Sequence, residues 1–149
     1  MFTNSLPSEQ ISSLANIAPV SQGVGAVTTG WVPVANHHVF LALICTGLLG
    51  ASATVDAKIQ QATDAAGTGA KDVTGKAITQ IVKATGDNKQ AMINFRPTEL
   101  DTNGGFGYVR LSLTVGTAAS LVSAELLGFN ARNNPASINN QAAVVQLVN

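Results

Sequence analysis

Few residues of this chain stand in patterns that do chemistry, and each pattern fails on its spacing. The run Gly69 to Lys76 invites comparison with a phosphate-binding loop, Gly-x4-Gly-Lys-Ser/Thr, whose amides cradle phosphates while the hydroxyl holds magnesium. Gly69 and Gly75 are one residue too far apart, and Ala77 stands where the hydroxyl belongs. The run reads as a surface turn. His37 and His38 suggest a metal site, but adjacent side chains of a strand leave opposite faces and cannot chelate one ion. No other histidine exists and Cys45 is the only cysteine, so nothing completes a ligand set and no intrachain disulfide can form. Cys45, within Leu43-Ile44-Cys45, reads as a small buried hydrophobe. Paired carboxylates would serve glycoside chemistry. The acids here are scattered instead, beside turns or at outward strand positions: Asp56, Asp64, Asp72, Asp87, Asp101 and Glu125. Glu99 to Asp101 makes a small acidic turn near Arg96, where an exposed ion pair is worth little. No Gly-x-Ser-x-Gly elbow presents a serine nucleophile. The chain is read as not an enzyme, with no catalytic, cofactor-binding or metal-ligating residue and no cofactor.

The elements that would carry these residues are strands. In Ala53 to Gln60, apolar Ala53, Val55, Ala57 and Ile59 alternate with Thr54, Asp56, Lys58 and Gln60. Ala91, Ile93 and Phe95 alternate with Gln90, Met92, Asn94 and Arg96; Val109, Leu111, Leu113 and Val115 alternate with Arg110, Ser112 and Thr114. This is the period of a strand with one buried face. Val39 to Cys45 is apolar on both faces, as in a central strand or one covered by a partner. Val73 to Lys83 and Leu121 to Phe129 are weaker strands, and the former also allows a helix. Turn residues separate the runs at Asp64 to Gly69, Gly86 to Asn88 and Asp101 to Gly105. About six to eight strands at this spacing predict an all-β fold, a β-sandwich or jelly-roll-like single domain.

Three zones follow. Residues 1–28 read as an extended N-terminal arm, with Phe2, Leu6, Ile11 and Leu14 too apolar for a solvated tail. Residues 29–130 form the sandwich body. Residues 131–149 form a C-terminal tail, Asn-rich at first and then apolar from Ala142 to Val148, where a short terminal strand is expected. Trp31, the sole tryptophan, sits where arm meets body and serves as an interface anchor or plugs one end of the sandwich. Phe2, Leu6, Ile11, Leu14, Trp31, Val144, Val145 and Leu147 are the candidate interface residues.

Bulk composition explains why contacts, rather than catalysis, are the theme. Charged residues make up 11% and the formal net charge is zero, against roughly 25% charged in an average domain. Such a surface does little to prevent self-association. The five lysines and three arginines are spread from Lys58 to Arg132 without a cluster, so no nucleic-acid footprint is visible. Val39 to Val55 is interrupted by Thr46, Gly47, Gly50 and Ser52 and falls short of the about 20 residues of a membrane span. Met1 to Gln10 lacks the basic and apolar regions of a secretory signal.

Three runs carry a family resemblance: Ala53 to Gln80, Asn88 to Asp101 and Gly107 to Thr117. Between Trp31 and Ser137, about two thirds of the chain, the sequence resembles a family of small structural proteins encoded near the head genes of siphovirus-like tailed phages and related prophages. The resemblance implies a virion component without catalytic residues. Its expected role is capsid decoration (cement): binding the outer surface of the phage head over junctions between copies of the major capsid protein, after passage through the host cytoplasm during assembly. A homotrimer at local three-fold positions follows by analogy alone. The alternatives are a neck, tail or spike component of the same virion and, from another class, a carbohydrate-binding β-sandwich. The arm and tail lie largely outside the resemblance.

Overall fold

A computed structural model describes residues 4–148. Its strands are β1 (Ile11–Gln22), β2 (Gly25–Thr28), β3 (Val32–Pro33), β4 (His37–Thr46), β5 (Thr54–Ala62), β6 (Lys71–Ala77), β7 (Ile81–Val82), β8 (Gln90–Phe95), β9 (Tyr108–Gly116) and β10 (Ser120–Ala131). Two one-turn helices, α1 (Pro7–Gln10) and α2 (Lys83–Gly86), and four 3-10 turns connect them. The alternating runs become β5, β8 and β9, with the apolar set of each facing inward, Ala91 only partly buried, and the polar set on the other face, where Ser112 is covered.

All pairing is antiparallel. Sheet A runs β1-β10-β4-β8 and sheet B runs β2-β9-β5-β6, with the two-residue strands β3 and β7 added beside β9 and β5. The order has a simple origin. About the β5–β6 turn the two halves of the chain mirror each other: β5 pairs β6, β4 pairs β8, β2 pairs β9 and β1 pairs β10. The chain is thus one long hairpin rolled into two layers, which is a jelly roll. Strand order chooses between the two architectures that period two alone allowed. Between the layers lie Phe40, Ile44, Ile59, Phe95, Leu111, Leu113 and Leu126, all at most 1% exposed.

Three boundaries differ from the sequence reading. Residues 11–28, read as an extended arm lying on its own body or on a neighbour, are part of the body itself: they form β1 and β2, an outer strand of each sheet. Period two failed there because β1 shifts register between Ser13 and Ala15 and again between Ile17 and Val20. Each bulge reverses which parity faces inward. Val73 to Lys83 is neither one strand nor a helix. Gly75 at φ +73° and a register shift between Lys58 and Gln60 interrupt the pairing of β6, which meets β5 again at Ala77, and the chain continues as β7 and α2. In the C-terminal zone the chain makes a 3-10 turn, Ala136–Asn139, and the expected terminal strand does not form in the described residues.

Candidate interface surface

The two sheets turn different faces to solvent. On sheet B the outward positions form a hydrogen-bonded polar mat. Lys58 Nζ lies 2.7 Å from Asp72 Oδ2, Gln60 donates to the other oxygen of Asp72 at 2.9 Å, and Arg110 Nε donates to Gln60 at 2.9 Å. Lys71 and Lys76 of β6 pair with Asp101 at 2.6 Å and Glu99 at 2.8 Å in the connection between β8 and β9, and Lys83 of α2 pairs with Asp87 at 2.6 Å. The lysine hydrogen bond in each pair holds the Asp72, Asp87, Glu99 or Asp101 carboxyl below its ordinary pKa. Asp64 is lowered by the Thr68 hydroxyl and by backbone amides of its own turn. These acids are engaged in closing turns and clamping strands.

Sheet A is the opposite. Strands β1, β4 and β8 contain no Lys, Arg, Asp or Glu, and β10 contains only Glu125. Leu41, Leu43 and Cys45 alternate with buried Ala42 and Ile44, so they point away from the core. Register places Leu127 beside Leu41, and puts Glu125 and Met92 on either side of Leu43. Met92 is 59% exposed, and Val20 and Leu121 are nearly half exposed. Two shallow grooves cross this face. One, of about 310 Å³, is lined by Ser13, Asn16, Leu43, Cys45, Glu125 and Ala143. The other, of about 390 Å³, is lined by Pro19, Val20, Cys45, Gly47 and Leu121. A contiguous apolar area rimmed by polar groups marks an interaction surface. The sequence signals for it were Val39 to Cys45, apolar on both faces, and Val20 among the apolar residues of the N-terminal zone; Met92 and Leu121 carried no signal of their own.

The C-terminal segment starts at the rim of the same face. Ser13 N donates to Asn140 Oδ1 at 2.9 Å, Gln141 N to Ser13 O at 2.7 Å, and Gln141 Nε2 to Ser13 Oγ at 2.8 Å. Beyond that anchor Val144 is half-buried, while Val145 is 93% exposed and Leu147 is also exposed. These three residues follow Ala143, which lines the groove beside Leu43 and Cys45.

The other candidate residues go elsewhere. Phe2 lies outside the described residues. Leu6 is exposed ahead of α1, its amide donating to Glu9 at 2.9 Å. Ile11 sits opposite Phe129 in the β1–β10 ladder. Leu14 packs against the core, so its side chain is taken up by the protein's own interior. Trp31 is half-buried on the sheet B side, far in the fold from the apolar face: Arg110 lies 4.5 Å over its ring and Gly67 abuts its Nε1. The adjacent histidines separate as alternation requires, His37 fully buried and His38 exposed.

No protein-family model and no curated protein matches the chain. Among solved structures it is similar to cowpea mosaic virus top component, the naturally occurring empty particles, at 12% identity and TM-score 0.41 over 87% of this chain and 89% of that one. Similar too are broad bean stain virus, at 13% identity and TM-score 0.44 over 90% and 94%, and the CBM22-2 xylan-binding domain of Paenibacillus barcinonensis Xyn10C, at 7% and 0.42 over 80% and 98%. At TM-scores this low the jelly roll rests on strand order, and the likenesses carry no function across.

Proposed function

We propose that this chain is a virion structural protein, acting by binding rather than catalysis, and that it decorates the outer surface of a phage head as a cement protein. One observation carries the reading. The four ion pairs of the described residues lie on sheet B and the connecting segments, whereas the strands of sheet A carry no Lys, Arg, Asp or Glu but Glu125 and turn Leu41, Leu43, Met92, Leu121 and Leu127 outward among uncharged Ser, Asn and Gln. A surface depleted of charge and enriched in Leu and Met is what the buried centre of a protein interface requires. In this reading sheet A and the segment after Gln141 seat on the major capsid protein, and sheet B faces water. The shell is reinforced because a clamp across subunits adds binding energy that internal DNA pressure must overcome.

The experiment mixes purified protein with expanded capsids that lack it and counts bound copies per shell. Wild type is expected to bind in hundreds of copies. Leu43→Asp, which sets a charge in the centre of the apolar face, is expected to fold and not bind. Lys58→Ala on sheet B is expected to bind as wild type does. No binding to shells by any variant removes the reading, and six to a dozen copies per virion moves the protein to the neck. The carbohydrate-binding alternative fares worse, because Arg110 covers one face of Trp31 and Lys71, 4.2 Å from the ring centroid, covers one face of Phe106.

A further inference from the structure

His37 is fully buried at the start of β4 and joins three parts of the chain that are remote in sequence. Its Nε2 lies 2.9 Å from Ser12 Oγ on β1, and that hydroxyl lies 2.5 Å from the carbonyl oxygen of Ala136, at the root of the C-terminal segment. A carbonyl only accepts, so the single hydroxyl proton of Ser12 goes to Ala136 and Ser12 accepts from Nε2–H. The neutral ring therefore has its proton on Nε2 and a bare lone pair on Nδ1. No protein group reaches Nδ1. Nor has the ring room to turn. A Cβ on Gly128 would stand 2.7 Å from its Cγ and Cδ2, and Phe40 closes on it edge-to-face with centroids 5.8 Å apart.

Ionisable groups around this relay are few. β1 and residues 133–148 carry none. The elements packed against the ring contribute exposed His38, Glu125 on the outer face opposite Leu43, Arg132 just past β10, and Glu9 on α1, which accepts from the Leu6 amide. None hydrogen-bonds the imidazole. A second proton on His37 would place a charge and an unmatched N–H in a closed site. We infer that His37 is an acid-operated latch: protonation drives the ring from its seat over Gly128, breaks the Ser12–Ala136 link and frees residues 136–148 from the edge of β1.

Burial holds the imidazole below its ordinary pKa. The sign follows: the open form binds the proton more tightly, so the latched form is lost as pH falls below the ordinary value of about 6.5. One proton can raise the opening equilibrium by at most about tenfold per pH unit, until the lowered pKa of His37 is passed.

The test is a titration of the full chain by NMR from about pH 7.5 to about 4.5, the window of histidine charging. It follows the His37 ring and the amides of Ser13, Asn140, Gln141 and Val145. Wild type and His38→Gln are expected to lose the docked Ser13, Asn140 and Gln141 signals in step with the His37 ring. His37→Gln, which keeps an N–H donor for Ser12 and cannot titrate, is expected to stay docked throughout. Docked signals that persist to the acid limit, or that vanish alike in His37→Gln, overturn the latch. Should His37→Gln not fold, wild type still decides: different midpoints for the His37 ring and the Gln141 amide sink it. No capsid enters this experiment, so its outcome is separate from that of the decoration reading.

Discussion

Phe40 and Phe95 face each other across β4 and β8, their rings stacked at 5.1 Å between centroids and 11° between planes, 0% and 1% exposed. β8 is an outer strand of sheet A, and its inward residues are Ala91, Ile93 and Phe95, of which Phe95 is the largest. Phe95→Ala removes a fully buried ring from a junction of the two layers, which costs about 3–5 kcal/mol in transfer and cavity terms. Against a total of about 5–15 kcal/mol for a domain, that is a large share. At about 2–4 °C per kcal/mol it lowers Tm by roughly 6–20 °C. The stacking itself is isolated by a cycle of Phe40→Leu, Phe95→Leu and the double variant, with an expected coupling of about 0.5–1.5 kcal/mol. Urea unfolding followed by far-ultraviolet circular dichroism measures both, with an m-value unchanged from wild type. A loss under about 1 kcal/mol for Phe95→Ala would refute the two-layer packing, since such a value belongs to surface positions.

Gly128→Ala sets a Cβ 2.7 Å from His37 and 2.8 Å from Leu14, and is expected to cost about 1–3 kcal/mol by overpacking, read from the same urea curves. Arg110→Ala uncovers Trp31, shifting its fluorescence to the red and costing about 0.5–1 kcal/mol. Stability also falls in acid. Asp72, Asp87, Glu99 and Asp101 have lowered folded pKa values, so their contribution is present above the unfolded values of about 4 and is lost as pH falls through the folded ones. Thermal melts between about pH 5 and pH 2 are expected to show that decline, with a smaller drop at about 1 M salt, where exposed pairs are already screened; a decline of equal size at both salt concentrations would contradict it.

Local pattern was legible where one face is buried against the core without interruption. Thr54–Ala62, Gln90–Phe95 and Tyr108–Gly116 all lie where alternation placed them. Residues 11–28 were not, because β1 buries Ser12, Ala15 and Ile17 across a bulge and leaves Ala18 to Ser21 exposed. The apolar tail misled in the other direction: Ala142 to Val148 has the composition of a strand, yet no edge pairs with it in the described residues. Of the candidate interface residues, Leu14 looked free in sequence and is held by the core, while Trp31 belongs with Arg110 and Gly67. Neither Arg110 nor Gly67 is near Trp31 in the chain.

What the sequence by itself determined was the all-β class, the inward and outward faces of β5, β8 and β9 and the scarcity of charge, because side-chain alternation and composition are local quantities. Pairing is not local. That β1 joins β10 and β4 joins β8 depends on residues far apart in the chain, and only that order gathered the ion pairs on and around sheet B and left the strands of sheet A with Glu125 as their one charge. The same holds for His37, whose partner Ser12 in turn donates to Ala136 near the other end of the chain. The sandwich had to close before any of them could meet.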